Sequence, residues 1–141
     1  MTKGIVYLAI AYSHKNPRIR EIRYEIANII SAYLMNLGVV IFSPITHSHP
    51  LAAYNLPTGW DYWKSQDLSY LTVCESIIAV TLDGWKESIG LQDEVNIMKD
   101  MGKKVSFFDP CDLVDAKLAR LLKEHAALLN TPVAENNRKG I

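Results

Sequence analysis

Three residues in one short window have the types and spacing for chemistry: Ser88, Gly90 and Glu94, in Leu82-Asp83-Gly84-Trp85-Lys86-Glu87-Ser88-Ile89-Gly90-Leu91-Gln92-Asp93-Glu94. Ser88 reads as a helix N-cap, and Gly90 leaves the first turn bare. An anion could therefore approach free backbone N–H groups at the positive end of the helix dipole. Such a pocket needs no lysine. Glu94 lies four residues beyond Gly90 on the same helical face, about 6 Å along the axis at the usual rise. From there it could address the sugar of a ligand whose phosphate sits on the helix start, either as a nucleophile or as a partner for a sugar cation. The same residues also describe an ordinary capped helix with a solvent-exposed glutamate, and spacing alone does not choose between the two.

The elements that must position this window follow from hydrophobic patterning. Gly4 to Ala11 is a nearly continuous apolar run, the form of a strand covered on both faces. Asn16-Pro17 then offers a cap and a proline at the first helical position. Ile19, Ile22, Ile26, Ile29, Tyr33 and Leu37 recur at steps of three or four until Gly38 stops the helix. Val39 to Phe42 is a second strand, so the chain opens as strand, helix, strand, which implies parallel pairing. Ser43 to Pro57 reads as a loop, long enough to be a site candidate on length alone. A second helix is expected over Thr58 to Cys74 with Thr58 as its cap, and a third strand over Ser76 to Leu82. A third helix is expected over Ile89 to Met101, closed by Gly102, then a strand over Val105 to Phe108 and a last helix from about Asp112. This alternation predicts a three-layer α/β/α sandwich, Rossmann or flavodoxin-like, around a parallel sheet of four to five strands. Residues 1–130 form its single domain, with 131–141 a flexible tail.

Ligands of such sheets bind beyond the carboxyl ends of the strands. That rule selects Tyr12 and Ser13; Ser43 and His47; Asp83, Trp85 and Ser88; and Asp109. His47 and His49, two apart, would share one face of an extended segment and could grip a metal or a phosphate, but no third ligand is evident and no metal is expected. Trp60 and Trp63, three apart on a helix, fit core, a subunit interface or base stacking. His125 reads as half-buried packing, and Cys74 and Cys111 as buried free thiols of a reducing cytoplasm.

Tyr7-Leu8-Ala9 with Tyr12-Ser13, Asp67, and Asp83-Gly84 followed by Ser88-x-Gly90-x-x-x-Glu94 resemble the nucleoside 2-deoxyribosyltransferase-like superfamily. Within it, Ser-x-Gly-x-x-x-Glu is most similar to the deoxynucleoside monophosphate N-glycosidases. A closer likeness, through Ser43-Pro44-Ile45-Thr46-His47-Ser48-His49-Pro50, Leu56-Pro57 and Asp83-Gly84-Trp85-x-x-Ser88-x-Gly90, is to an uncharacterised bacterial and phage family of the same fold. The resemblance implies hydrolysis or transfer at the N-glycosidic bond of a nucleotide or modified nucleoside, without a cofactor. It implies Glu94 as the nucleophile, Ser88 and Gly90 as the turn that holds a 5′-phosphate, and Tyr12 as the tyrosine that positions nucleophile or sugar. Asp67 is implied as the carboxylate that handles the base or its proton, with Asp83 as another candidate acid. A neighbouring subunit completing the site, and so a homo-oligomer, is implied too. A non-catalytic nucleotide-binding or sensor module of the same fold is the alternative.

Composition bounds the partners. The chain has 141 residues, with 15 Lys and Arg against 15 Asp and Glu, 49% hydrophobic and 21% charged. Zero formal charge argues against a protein that coats nucleic acid and against a polybasic membrane binder, while leaving room for one small anion held locally. No apolar run approaches the roughly 18–20 residues of a membrane span. A cytoplasmic protein without membrane or nucleic-acid partners is expected.

Overall fold

A computed structural model describes residues 3–57 and 59–131 of the chain. Strands β1 (Val6–Ala9), β2 (Ile41–Phe42), β3 (Ser76–Val80) and β4 (Lys104–Phe108) form one parallel sheet in the order β2-β1-β3-β4. Helices α1 (Pro17–Asn36), α2 (Pro44–Ser48), α3 (Trp60–Val73), α4 (Ile89–Asp100) and α5 (Ala116–Leu129) complete the α/β/α sandwich.

Alternation along the strands divides the core. Leu8, Ile10 and Val80 pack with α1 and α5 through Ile22, Ile26, Ile30, Leu118 and Leu121. Tyr7, Ala9, Ile77 and Ala79 face the other way and pack with α3 and α4 through Leu71, Leu91, Val95 and Met98. Side chains of a strand alternate between faces, so the near-continuous apolar runs are what a sheet covered on both sides requires. Because β1 continues into α1 on one face while β3 continues into α4 on the other, the carboxyl ends of these adjacent strands splay apart. That topological switch is where open α/β sheets bind ligands.

Local capping matches the expected boundaries where the cap is a short-range feature. The Asn16 side chain accepts from the Arg18 N–H ahead of Pro17, Gly38 and Gly102 take left-handed conformations just past α1 and α4, and Ser88 caps α4. The segment 43–57 departs from the expected loop. Ser43 accepts from the Thr46 N–H, and Pro44 occupies the first turn of α2. Pro50 then opens a 3₁₀ turn over Pro50–Tyr54, ended by Asn55 in the left-handed region at φ 67°. Serine followed by proline is a helix start as well as a loop signal, and here the helix prevails.

Other boundaries shift. Strand β2 keeps only Ile41–Phe42 of the expected four residues, β3 ends at Val80, and α3 starts at Trp60 behind Gly59. Thr58, the expected cap, lies outside the described residues, as does the expected tail from residue 132 on. Asp109 caps a 3₁₀ turn over Pro110–Asp112, which delays α5 until Asp115 caps it. Cys74 is buried, whereas Cys111, on that turn, is exposed rather than buried. His125 is wholly buried, not half-buried, and accepts from Arg23 Nε at 3.0 Å. No described helix is long and apolar enough to cross a membrane.

Candidate active site

A cavity of about 410 Å³ opens at the switch point. The end of β1 contributes Ile10, Tyr12 and Ser13; the α2 region contributes Pro44, Ser48 and His49; α3 contributes Trp60, Trp63 and Asp67; and α4 contributes Ser88, Gly90 and Glu94. The 43–57 segment thus supplies one wall of the cavity.

Glu94 is the most consequential of these side chains. It is 5% exposed, and its carboxyl accepts a hydrogen bond from the Tyr7 hydroxyl. Burial pushes its pKa up to about 8; the Tyr7 bond draws it down, while Asp67 and Asp93 add to the rise. Asp67 is itself raised to about 6 by burial. Tyr7 is driven far above its ordinary range, first by burial and then by the two nearby acids. Among the described residues no ion pair reaches Glu94 or Asp67: Arg18 pairs with Glu25 and Glu124, Lys117 with Glu25, and His49 meets Glu21, a pair that is ionic only when the imidazole is protonated. A carboxyl held out of water without a cation is costly, and clefts that tolerate one are candidate sites.

Tyr7, which composition marks only as part of an apolar strand, is thus the tyrosine that orients Glu94. Tyr12 bonds instead to His49 Nδ1. The available signal was alternation: Tyr7 shares the face of Ala9 toward α4, and a buried tyrosine hydroxyl needs a partner.

Ser88 caps α4 as expected, but the first turn at Gly90 is not bare. Ser88 Oγ accepts from the Leu91 N–H at 3.3 Å. The space over Gly90 is taken by Trp60: a methyl group at Gly90 would lie 3.2 Å from the indole. The indole Nε1 donates to Asp93 Oδ2 at 2.8 Å, and Trp63 Nε1 donates to the Pro57 carbonyl at 2.6 Å. Both tryptophans line the cavity rather than the core.

Five expected residues, Ser43, His47, Asp83, Trp85 and Asp109, do not line it. Ser43 is buried as the cap of α2, where the Thr46 hydroxyl also donates to it. His47 is exposed, its ring 6.2 Å from that of Phe42 and 5.9 Å from that of Tyr70. The shared face proposed for His47 and His49 required an extended backbone, and helix α2 separates them. Trp85 packs toward the α4 side of the core and lies 5.7 Å from the Phe107 ring. Asp83 belongs to a different depression, with Asp109, Cys111 and Lys123 between the β3 end and α5.

Residues 4–110 match the family described as Domain of unknown function (DUF1937). The chain belongs to the DUF1937 family. The DUF1937 match spans the sheet and every side chain of the cavity described above. No curated protein matches the chain.

Proposed function

We propose that this DUF1937 protein cleaves the N-glycosidic bond of a nucleotide or modified nucleoside, with Glu94 as nucleophile. The observation that carries the reading is Glu94 itself, buried at the wall of a ligand-sized cavity and oriented by Tyr7. The resemblance of Ser88-x-Gly90-x-x-x-Glu94 to the nucleoside 2-deoxyribosyltransferase-like superfamily supports the same assignment. So does the placement of Ser88 and Gly90 at a helix start facing the cavity, where a 5′-phosphate finds N–H donors.

Chemically, the Glu94 carboxylate attacks the anomeric carbon and the base departs with a proton from Asp67. The pair titrates near 8 and near 6, so between those values it holds one proton. The form with Glu94 ionised and Asp67 protonated is the reactive one. No cofactor enters this scheme. Ile89 at the cavity rim is 71% exposed and Tyr54 nearby in sequence to the α2 wall is 77% exposed. Such surface suits a second copy of the chain, and we propose a homo-oligomer, to be checked by light scattering.

Incubation with a panel of nucleoside monophosphates, following free base, tests the activity. Base release lost in Glu94→Ala supports it; no release from any nucleotide overturns it. The competing reading, a nucleotide-binding module without turnover, is favoured by the Trp60 indole over Gly90, which narrows the approach to the helix start. Saturable binding of a nucleotide that is never cleaved would establish it.

A further inference from the structure

On the wall supplied by α1 and α2, three side chains form a hydrogen-bonded chain that the scheme above does not use. The Tyr12 hydroxyl lies 2.7 Å from His49 Nδ1, and His49 Nε2 lies 2.8 Å from Glu21 Oε1. A carboxylate only accepts, so Nε2 carries the ring proton. In its neutral form the imidazole turns its Nδ1 lone pair on the Tyr12 hydroxyl. The ring plane is fixed: His49 stacks on Tyr24 with centroids 4.3 Å apart and meets Tyr12 edge-on at 5.6 Å. Tyr12 and His49 line the cavity, while Glu21 backs them from α1. Burial raises the Tyr12 pKa, and Arg20 opposes that rise. Carboxylate, imidazole and hydroxyl in this order are the parts that draw the proton from a hydroxyl, and a phenol oxygen losing its proton can take one from water.

We propose that Tyr12, held by His49 and Glu21, takes the proton from the water that opens a glycosyl ester on Glu94, so that the protein is a hydrolase rather than a transferase. This rests on the glycosidic reading of the same cavity. Attack by Glu94 expels the base from the opposite face of the sugar, and water enters by the face the base has left. Glu94 belongs to the α3/α4 layer and the Tyr12 chain to the α1/α2 layer, and both line the cavity, so a sugar bound in it would lie between them. The departing base accepts its proton at a ring atom away from the cleaved bond, so Asp67 and Tyr12 serve different atoms.

In the step itself, a water lone pair forms the bond to the anomeric carbon as the bond to the Glu94 oxygen breaks and its electron pair returns to the carboxylate. The water proton passes to the Tyr12 oxygen as the phenol proton moves to His49 Nδ1. The imidazolium, stabilised by Glu21, then releases that proton to solvent. Tyr12 is the catalytic residue here, and His49 and Glu21 are positioning residues.

Rapid-mixing kinetics on the nucleoside monophosphate that the wild type cleaves best test the assignment. Tyr12→Phe should release base in a burst stoichiometric with enzyme and then slow by about 10²-fold, the usual scale of general-base catalysis. Mass spectrometry of the variant should show the sugar on Glu94. Azide, a nucleophile with no proton to lose, should restore turnover and yield a glycosyl azide. Glu21→Gln, at a half-exposed position where folding is not at stake, should give the same pattern more weakly. An active wild type whose variants lose the burst and the steady state together, without azide rescue, overturns this inference and leaves the glycosidic reading standing. So does a wild type that passes its sugar to added free adenine in preference to water. A wild type that releases no base from any nucleotide overturns both.

Discussion

Glu94 places a cost on the native state that can be measured without knowing the ligand. Its pKa is 4.5 in an unfolded chain and about 8 when buried. Between those values the native state binds a proton that the unfolded state has released, so stability falls as pH rises, by about 1.4 kcal/mol for each pH unit at the steepest. Glu94→Gln keeps an oxygen for the Tyr7 hydroxyl and removes the charge. Its advantage over the wild type in denaturant unfolding should be absent near pH 4, grow through the interval, and level off above pH 8. On the proposed glycosidic reading, the same pair sets the pH dependence of the activity. With Asp67 near 6 and Glu94 near 8, kcat/KM should be bell-shaped, failing in acid for want of an ionised nucleophile and in alkali for want of an acid. Asp67→Asn should lower kcat/KM by about 10²-fold and leave only the rising limb, shifted below 8 because a neighbouring negative charge is gone.

At the scale of elements, α4 lets the capping role of Ser88 be told apart from its proposed phosphate-binding role. Ser88 Oγ caps the helix through the Leu91 N–H, so Ser88→Ala should cost about 1 kcal/mol in chemical denaturation. Ser88→Asp keeps the cap and adds a negative charge where a phosphate would sit. It should retain stability while losing nucleotide affinity by calorimetry. Equal affinity for a nucleoside monophosphate in wild type and Ser88→Asp would remove the phosphate from that turn. Helix α2 shows how local rules compete. Ser43-Pro44 can open a loop or a helix, and the Thr46 hydroxyl, bonded to both Asn28 of α1 and Ser43, helps hold it as a helix. Only as a helix does the segment present His49 to Tyr12 and Glu21 and turn His47 away from them.

Over the whole molecule, two buried sites oppose each other with pH. His125, buried against Arg23, is lowered from 6.5 to about 4 by burial first and then by the Arg23 charge. Its neutral form is the native one, so its contribution is complete above pH 6.5 and is lost as pH falls toward 4. Glu94 works in the other sense, and between pH 6.5 and 8 it acts without opposition from His125. Thermal melts should therefore give a higher Tm at pH 6.5 than at pH 8, and Glu94→Gln should remove that difference. Arg23 also donates to the Ser13 carbonyl at 3.2 Å, tying α1 and α5 to the end of β1 beside the cavity. The site is thus braced from the layer opposite Glu94.

Features under short-range control can be read along the chain. Apolar runs demanded a sheet covered on both faces. Asn16-Pro17, Gly38, Ser88 and Gly102 set helix ends through bonds and backbone conformations only a few residues apart. The strand–helix order placed the site at the carboxyl edge. Tertiary structure alone decided which polar groups meet. Tyr7 and Glu94 are 87 residues apart, and Tyr12 and His49 are 37 apart; neither spacing encodes a contact. The indole of Trp60 over Gly90 and the burial that lifts Glu94 to about 8 arise only when α3 and α4 share a face of the sheet. Hydrogen bonding and desolvation act over a few ångströms of space, and chain separation is blind to them until the layers close.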